Sequence, residues 1–351
     1  MPALQSQLSC QTFSGVSNKF HRTKPAPVYS KMPLPLNILY DSSNLNLTVD
    51  DLYAKCKSIC DRMAISCHEQ SMIYDCTKAQ SSSMTWFEQR IGHVSSFVVH
   101  RVLHTSIEKP STSLLMQICN PSTAPINTPP ILWGRQQEQV VLKEYSQIVS
   151  PEHHTFSITK TGFLIGQEHP FIGVSAESIS TCACHGKRVV EVKSPYKHRD
   201  NTYQDFIADP NCCIYDRNKL KLSHPYYSQV QLQMYVHDVS NCDFVVWVTN
   251  FLVVCHVNRD NVFIKNMISQ TTSFFVMCIL PELLTRQLQH ITVLKKDIVS
   301  KDNLYCICQS PEDGNMIGCD NVNCKYQWFH LDCINMKQVP KSVWHCHFCK
   351  K

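Results

Sequence analysis

Eight soft ligands crowd the end of the chain: Cys306, Cys308, Cys319, Cys324, His330, Cys333, Cys346 and Cys349. Seven of the twenty cysteines fall within the last forty-six residues. The spacings C-x-C, H-x2-C and C-x2-C each set two ligands on one tight turn. Eight such ligands make two tetrahedral zinc sites, and a site closed by four protein ligands is structural rather than catalytic. So short a segment cannot build an adequate apolar core, and metal binding has to supply its folding free energy.

A second group of residues is acidic. Glu138 precedes Val141, Leu142 and Tyr145 by three, four and seven positions, so a helix puts its carboxylate on the apolar stripe. That placement is costly unless a cation waits there. Glu191 and Lys193 lie two apart in a strand-like run and project from one face. Glu177 follows the strand-like FIGVS, fourteen residues before Glu191, the separation of a hairpin. Three carboxylates and an ammonium could converge to hold a metal and position a water. Taken singly, they read as a helix acid, a loop acid and an ordinary cross-strand ion pair. A third group, Cys182-Ala183-Cys184-His185 with Cys212 and Cys213 downstream, reads either as an extra zinc site or, more commonly, as free thiols at a turn.

The elements that must position these groups follow from periodicity. Residues 1–45 mix Pro, Ser, Asn and Lys without a period and are expected to be a flexible arm. From Leu52 the pattern turns helical, and TWFEQRIGHVSSFVVHRVLHT looks like a helix–turn–helix. NPSTAPINTPP breaks the chain, and GRQQEQVVLKEYSQIV is a helix. TFSITKTGFLI, FIGVS and KRVVEVKSPY read as strands, HPYYSQVQLQMYVHDV as a helix, and FVVWV with LVVCHV as a hairpin. ILPELLTRQLQHITVLKKDIV would close the domain with a helix and linker. The order predicts an α/β (α+β) domain with a mixed central sheet over residues 46–298, followed by the finger at 303–351.

Composition agrees with that division. Hydrophobic residues make up 43%, enough to bury a core, and the net charge of +5 has the sign a nucleic-acid binder needs. No secretory leader is apparent at the N-terminus, so twenty cysteines point to metal ligands and buried thiols rather than a disulfide framework. The most apolar stretch is interrupted by Thr249 and Asn250, and no membrane partner is expected.

The ligand order C4-H-C3 resembles the PHD finger family, and MIGCDNVNC with WFHLDC resembles its inhibitor-of-growth branch. The resemblance implies an interleaved cross-brace. Cys306, Cys308, His330 and Cys333 would hold one zinc, and Cys319, Cys324, Cys346 and Cys349 the other. It also implies that a histone H3 tail adds a strand and that its trimethylated lysine enters a cage of Tyr305, Met316 and Trp328. Gly314 would form the rim, and Asp320 would take a neighbouring arginine. Ring quadrupoles suit a cation that has no N–H to donate. Alternatively, Trp328 and Tyr305 are core residues of a small fold.

Residues 70 to 285 resemble the PD-(D/E)xK nucleases of the YqaJ viral recombinase type, relatives of the lambda exonuclease. The motifs are Trp86, Arg90 and Gly92; Gly134, Glu138 and Tyr145; GVSAES and EVKSPY; and YYSQVQLQM. The resemblance implies one or two Mg²⁺ or Mn²⁺ ions among Glu138, Glu177, Glu191 and Lys193, with Gln229 at the motif's glutamine. A DNA 5′ phosphate would meet Arg90, Ser95 and Ser96. Lys187, Arg188, Lys197 and Arg199 either serve the backbone or form a solvated face. Two positions depart from the family. Glu177 stands where an Asp is usual, and Phe97 where a serine is usual. The expectation is a metal-dependent DNA exonuclease of recombination or mobile-element type, directed by the finger to chromatin in the nucleus. The family resemblance allows a ring oligomer. The competing reading is an impaired nuclease fold that binds DNA and chromatin without cutting.

Overall fold

The computed structural model describes residues 32–121, 127–215, 218–289, 305–308, 315–336, 338–340 and 342–350. A five-stranded sheet organises the larger part. Its spatial order is Phe251–Asn258, Asn241–Val248, Gly186–Lys193, Ser178–Cys182 and Ser157–Lys160. Gly186–Lys193 runs parallel to Asn241–Val248, and the other three pairings are antiparallel, so the sheet is mixed as expected. A parallel neighbour needs a long crossover. Here it contains the helices Tyr203–Ala208 and Pro225–His237.

Helices cover both faces, which is why NCDFVVWV is apolar at nearly every position rather than alternately. On one face Val141, Leu142 and Tyr145 of helix Pro129–Val149 pack against Val190, Val192, Val245 and Trp247. On the other, Val230 and Met234 of helix Pro225–His237 pack against Val189, Phe244 and Val246. Strand alternation therefore assigns Glu191 and Lys193 to the face of the second helix.

Several expectations need correction. TFSITKTGFLI is not one strand. Ser157–Lys160 joins the central sheet, whereas Leu164–Ile165 joins a separate three-stranded sheet with Ile172–Val174 and Val94–Ser95. The break falls at Gly162, where an added Cβ would lie 1.8 Å from the Tyr74 carbonyl, so only glycine allows that approach. Next to it, Phe163 is fully buried and its N–H donates to Thr77 Oγ1 at 2.7 Å. Ser178–Cys182, whose small polar residues hid it, is a strand with alternating burial.

Residues 33–45 are packed rather than an arm. Leu36 and Leu39 lie on the helical core, Asn44 is buried with its amide donating to the Leu284 carbonyl at 3.2 Å, and Gln89 donates to the Pro33 carbonyl at 2.7 Å. The earlier part of the expected arm, 1–31, lies outside the described residues.

The closing helix starts sooner than expected, at Asn261, where the Asp260 side chain caps it by accepting from Phe263 N. It passes through a π-helical turn at Phe275–Ile279 and ends at Thr285. Length and composition would let this helix cross a membrane, but Ile264, Met267, Phe274, Phe275, Ile279 and Leu283 pack into the core.

Asp243, at 2% exposure, ties the layers together. It accepts from Tyr145 Oη at 2.6 Å, Arg188 Nη1 at 3.1 Å and His256 Nδ1 at 2.7 Å. Burial pushes its carboxyl up, but the bonds from His256 and Tyr145 outweigh that and leave its pKa lowered. His256 is raised, chiefly by its hydrogen bond to Asp243. A carboxyl lowered on folding adds stability above its unfolded pKa and loses it as pH falls through the folded value. A histidine raised on folding adds stability below its unfolded pKa and loses it as pH rises through the folded value. The pair therefore helps most between roughly pH 4 and 6.5. His256→Ala is expected to lower the melting temperature by about 1–3 °C near pH 5.5 and by less above pH 7, since such an exposed ring is well screened. Equal losses at both pH values in a thermal scan would leave the charge out of it.

The finger is organised by a short antiparallel pair, Met316–Gly318 against Trp328–His330. Ile317 and Phe329 are buried between the metal-ligand clusters, so alternation places Met316, Gly318, Trp328 and His330 on the opposite face.

Candidate nuclease and zinc-binding sites

Glu191 is the centre of the polar site. It is 2% exposed and its Oε1 accepts from Lys193 Nζ and from Gln229 Nε2, both at 2.6 Å. Its Oε2 accepts from Gln233 Nε2 at 2.8 Å. Gln229 and Gln233 are one helical turn apart and so point at the same strand. Gln233 was not singled out from the sequence, although Q-x3-Q on a sheet-facing helix was the available signal. Its own Oε1 is buried without a hydrogen-bond partner. Lys193 also lies over the Tyr226 ring at 4.7 Å.

The hairpin register pairs Ser178 with Val190, so Glu177 stands one step further along, opposite Glu191. The loop that carries it is clamped. The Ala176 carbonyl accepts from Gln80 Nε2 at 2.9 Å and from Thr161 Oγ1, and the Ser175 hydroxyl accepts from Trp86 Nε1 at 2.8 Å. Burial first, then the charges of Glu191 and Glu138, push the Glu177 carboxyl up to about 8. Lys193 is raised as well; burial opposes this, but the charge of Glu191 outweighs it.

Glu138 approaches from the helix on the other face and meets Lys160 Nζ at 3.4 Å. It is half-buried, so the cation that its place on the apolar stripe required is Lys160. Tyr145 of the same motif anchors that helix through Asp243. Glu177 feels the charge of both other carboxylates, so the three share one neighbourhood. Carboxylates that share a neighbourhood supply the hard oxygen ligands that a divalent cation takes.

Arg90 stacks 3.9 Å from the Trp86 ring, and its Nη2 reaches Ser95 Oγ at 3.5 Å. Burial lowers its pKa to about 10, and no acidic side chain pairs with it among the described residues. Ser95 and Ser96 are each 6% exposed, whereas Phe97 is 64% exposed. Beside Lys193 opens a cleft of about 310 Å³ lined by Lys197, His198, His224 and Tyr226. A larger cleft of about 430 Å³, around Tyr74, Thr159 and Lys187, contains none of the three carboxylates. The remaining basic residues are partly engaged. Arg188 pairs with Asp243, Lys197 with Asp209 at 2.5 Å, and Arg199 with Asp200 at 3.2 Å.

In the finger, the ligand atoms of Cys306, Cys308, His330 and Cys333 lie within 4.8 Å of one another, as do those of Cys319, Cys324, Cys346 and Cys349. The ligands therefore interleave in the cross-brace order. Cys324 Sγ and Cys346 Sγ are 3.7 Å apart, close to the roughly 3.8 Å edge of a tetrahedral zinc thiolate. Trp328 is 47% exposed with its ring against Gly318, where an added Cβ would be 3.5 Å from the indole. Met316 shares that face, and the Cys306 N–H donates to the Trp328 carbonyl at 2.8 Å, which sets Tyr305 beside the same strand. Asp320 is exposed and accepts from Trp344 N at 2.6 Å. Gly314 lies outside the described residues.

A mixed α/β domain is thus followed by a small two-cluster cross-brace finger. Residues 85–242 match the YqaJ-like viral recombinase domain. The chromatin modification-related protein YNG2 of Saccharomyces cerevisiae is 55% identical over 47 residues, 13% of this chain and 17% of that protein. The chromatin modification-related protein png2 of Schizosaccharomyces pombe is 45% identical over 64 residues, 18% of this chain and 21% of that protein. The chain spans about a fifth of the length of these curated relatives. Among solved structures, an alkaline exonuclease from Laribacter hongkongensis superposes at a TM-score of 0.42 with 16% identity, covering 61% of this chain and 98% of that one. The shutoff and exonuclease protein of the Kaposi's sarcoma-associated herpesvirus gives 0.41 with 13% identity, covering 73% and 84%.

Proposed function

We propose that the chain is a divalent-metal-dependent DNA nuclease of exonuclease and recombination type, brought to nuclear chromatin by its zinc finger. The observation that carries the first half is the Glu191 carboxylate, buried yet held by an ammonium and two carboxamides, with a second carboxylate opposite it. Burying charge at such cost is characteristic of working sites. Glu177 and Glu191 would hold one or two Mg²⁺ or Mn²⁺ ions, with Glu138 at the margin. When bound, such an ion supplies Lewis-acid polarisation of a phosphoryl oxygen and a more acidic water. Lys193 is fixed by Glu191 and the Tyr226 ring, so its ammonium can orient the attacking water or stabilise charge on the phosphoryl oxygens. Gln229 and Gln233 hold the Glu191 carboxylate in one orientation. Arg90, buried without an acidic partner, offers its fork to a phosphate beside Ser95.

Linear duplex DNA should therefore be degraded with Mg²⁺ or Mn²⁺ and left intact with Ca²⁺ or EDTA. Mn²⁺ should serve better, because it tolerates the irregular coordination that a longer Glu177 imposes. At limiting metal the rate should climb as pH rises toward about 8, since a proton on Glu177 competes with the ion for that carboxylate. Intact DNA with every metal would favour the second reading, a DNA-binding fold that no longer cuts. Glu177 in place of Asp and the exposed Phe97 at the phosphate entrance support that alternative.

The finger reads a trimethylated lysine near the N-terminus of histone H3, with Tyr305, Met316 and Trp328 as cage and Asp320 as the acid for a neighbouring arginine. Support comes from Trp328, a large aromatic left half-exposed on a face shared with Met316. Trp328→Ala should cut the preference for trimethylated over unmodified peptide by roughly 5- to 30-fold, the worth of one cation–π contact. Calorimetry giving equal affinities for the two peptides in the unaltered protein would make Trp328 a packing residue.

A further inference from the structure

We infer that His153, Cys182, Cys184 and His185 form a third zinc site, structural in kind and separate from the two in the finger. Their ligand atoms all lie within 4.8 Å of one another. His153 Nδ1 is 3.1 Å from His185 Nδ1 and 3.4 Å from Cys184 Sγ, and Cys182 Sγ is 3.8 Å from His185 Nδ1. A tetrahedron built from Zn–N bonds of about 2.05 Å and Zn–S bonds of about 2.3 Å has N···N edges near 3.3 Å and N···S edges near 3.6 Å. The three separations fall within a few tenths of an ångström of those edges.

The donor set is chemically complete. Two thiolates balance the charge of Zn²⁺, and two neutral imidazoles fill the remaining positions. The Cys182 sulfur also accepts the His185 backbone N–H at 3.3 Å. The finger repeats that arrangement at the same distance, where Cys319 Sγ accepts from Cys346 N. Several other cysteines of the large domain are buried instead. Cys119, Cys242 and Cys255 are buried among apolar side chains, and Cys212 and Cys213 lie in an apolar cluster with Phe206 and Leu220 rather than near this turn. Cys184 and His185, by contrast, are exposed on the turn between Ser178–Cys182 and Gly186–Lys193.

The site would join two segments that already touch. The Ala183 N–H donates to the His154 carbonyl at 2.9 Å. One segment follows helix Pro129–Val149, which bears Glu138. The other is the turn of the hairpin whose far end bears Glu177, Glu191 and Lys193. Zinc would thus staple that hairpin to the chain leaving the helix and stiffen the mounts of all three carboxylates. No ligand comes from the reaction site, so the ion takes no part in chemistry.

Zinc per chain, counted by native mass spectrometry and by elemental analysis of the full-length protein, tests the inference. The unaltered protein is expected to hold one more zinc than the Cys184→Ser/His185→Ala double variant, and one more than His153→Ala. Both turn residues are exposed, so the double variant leaves the core alone. Should it misfold, Cys184→His keeps four ligands and is expected to retain the full count. Equal zinc in the unaltered protein and the double variant would overturn the inference. So would a Cys184→His protein that folds but matches the count of His153→Ala. If the finger failed to bind zinc, both counts would fall together and their difference would stay at one.

Discussion

Lys193→Ala protein is expected to bind duplex DNA within about twofold of the unaltered chain and to cleave it at least about a hundredfold more slowly. Lys193 donates directly to Glu191 and is the cation in contact with that carboxylate. Glu191 would still accept from Gln229 and Gln233 after the change, so the strand keeps most of its polar support. Under the proposed function, what disappears is the positive charge that would stand where negative charge develops during phosphodiester attack. The apo carboxylates would repel one another more strongly, and metal should bind more tightly even as turnover falls. Circular dichroism and the melting temperature must be checked, because Val192 beside it belongs to the core. A folded variant that cuts as fast as the unaltered protein would remove the catalytic assignment altogether.

Glu177→Asp extends the same test. If cleavage is merely slowed by the longer side chain, Asp should raise the rate, since misplacement by about an ångström commonly costs about a hundredfold. In a fold that has lost cleavage, Asp alone is expected to gain nothing, because the exposed Phe97 still replaces the serine that the family resemblance puts at the phosphate site. The two outcomes separate an impaired enzyme from a binding protein.

How much of this was legible in the sequence depended on the range of the physics. The finger's ligands announced themselves because each pair sits within one turn, and such spacing survives any uncertainty about the fold. Glu191 and Lys193 could be put on one face because strands have period two. The mixed sheet followed from the order of helices and apolar runs. Long-range pairings were not legible. His153 meets Cys182 only because two segments 29 residues apart are brought together by the hairpin. Gln233 became visible only once its helix was known to face Glu191. The break at Gly162 depends on a backbone contact with Tyr74 that local propensity does not encode. Residues 33–45 looked too polar to pack, yet Asn44 is buried because the Leu284 carbonyl and Lys55 satisfy its amide.

The largest stability effect is expected at Cys319. Among the described residues, and apart from the cysteines, the finger's buried apolar side chains are Ile317, Phe329 and Leu331, partly covered by Tyr326 and Trp344. Segments of roughly 40 residues seldom fold on apolar burial alone. Structural zinc in comparable modules supplies about 10–16 kcal/mol, which becomes the folding free energy. Cys319→Ala removes one ligand of a closed site and also the sulfur that accepts the Cys346 N–H at 3.3 Å. The remaining three ligands leave an open position and a weaker, less selective site. Because the two clusters interleave along the chain, release of one frees the strand pair that presents His330 to the other. Amide resonances of the finger should then collapse toward random-coil shifts in the full-length protein, and binding of histone peptide should be lost. Resonances and melting of the large domain should change little. Dispersed finger resonances in Cys319→Ala protein would mean that apolar packing alone holds the fold. Loss of large-domain structure in the same variant would mean that the finger is not an independent zinc-dependent unit.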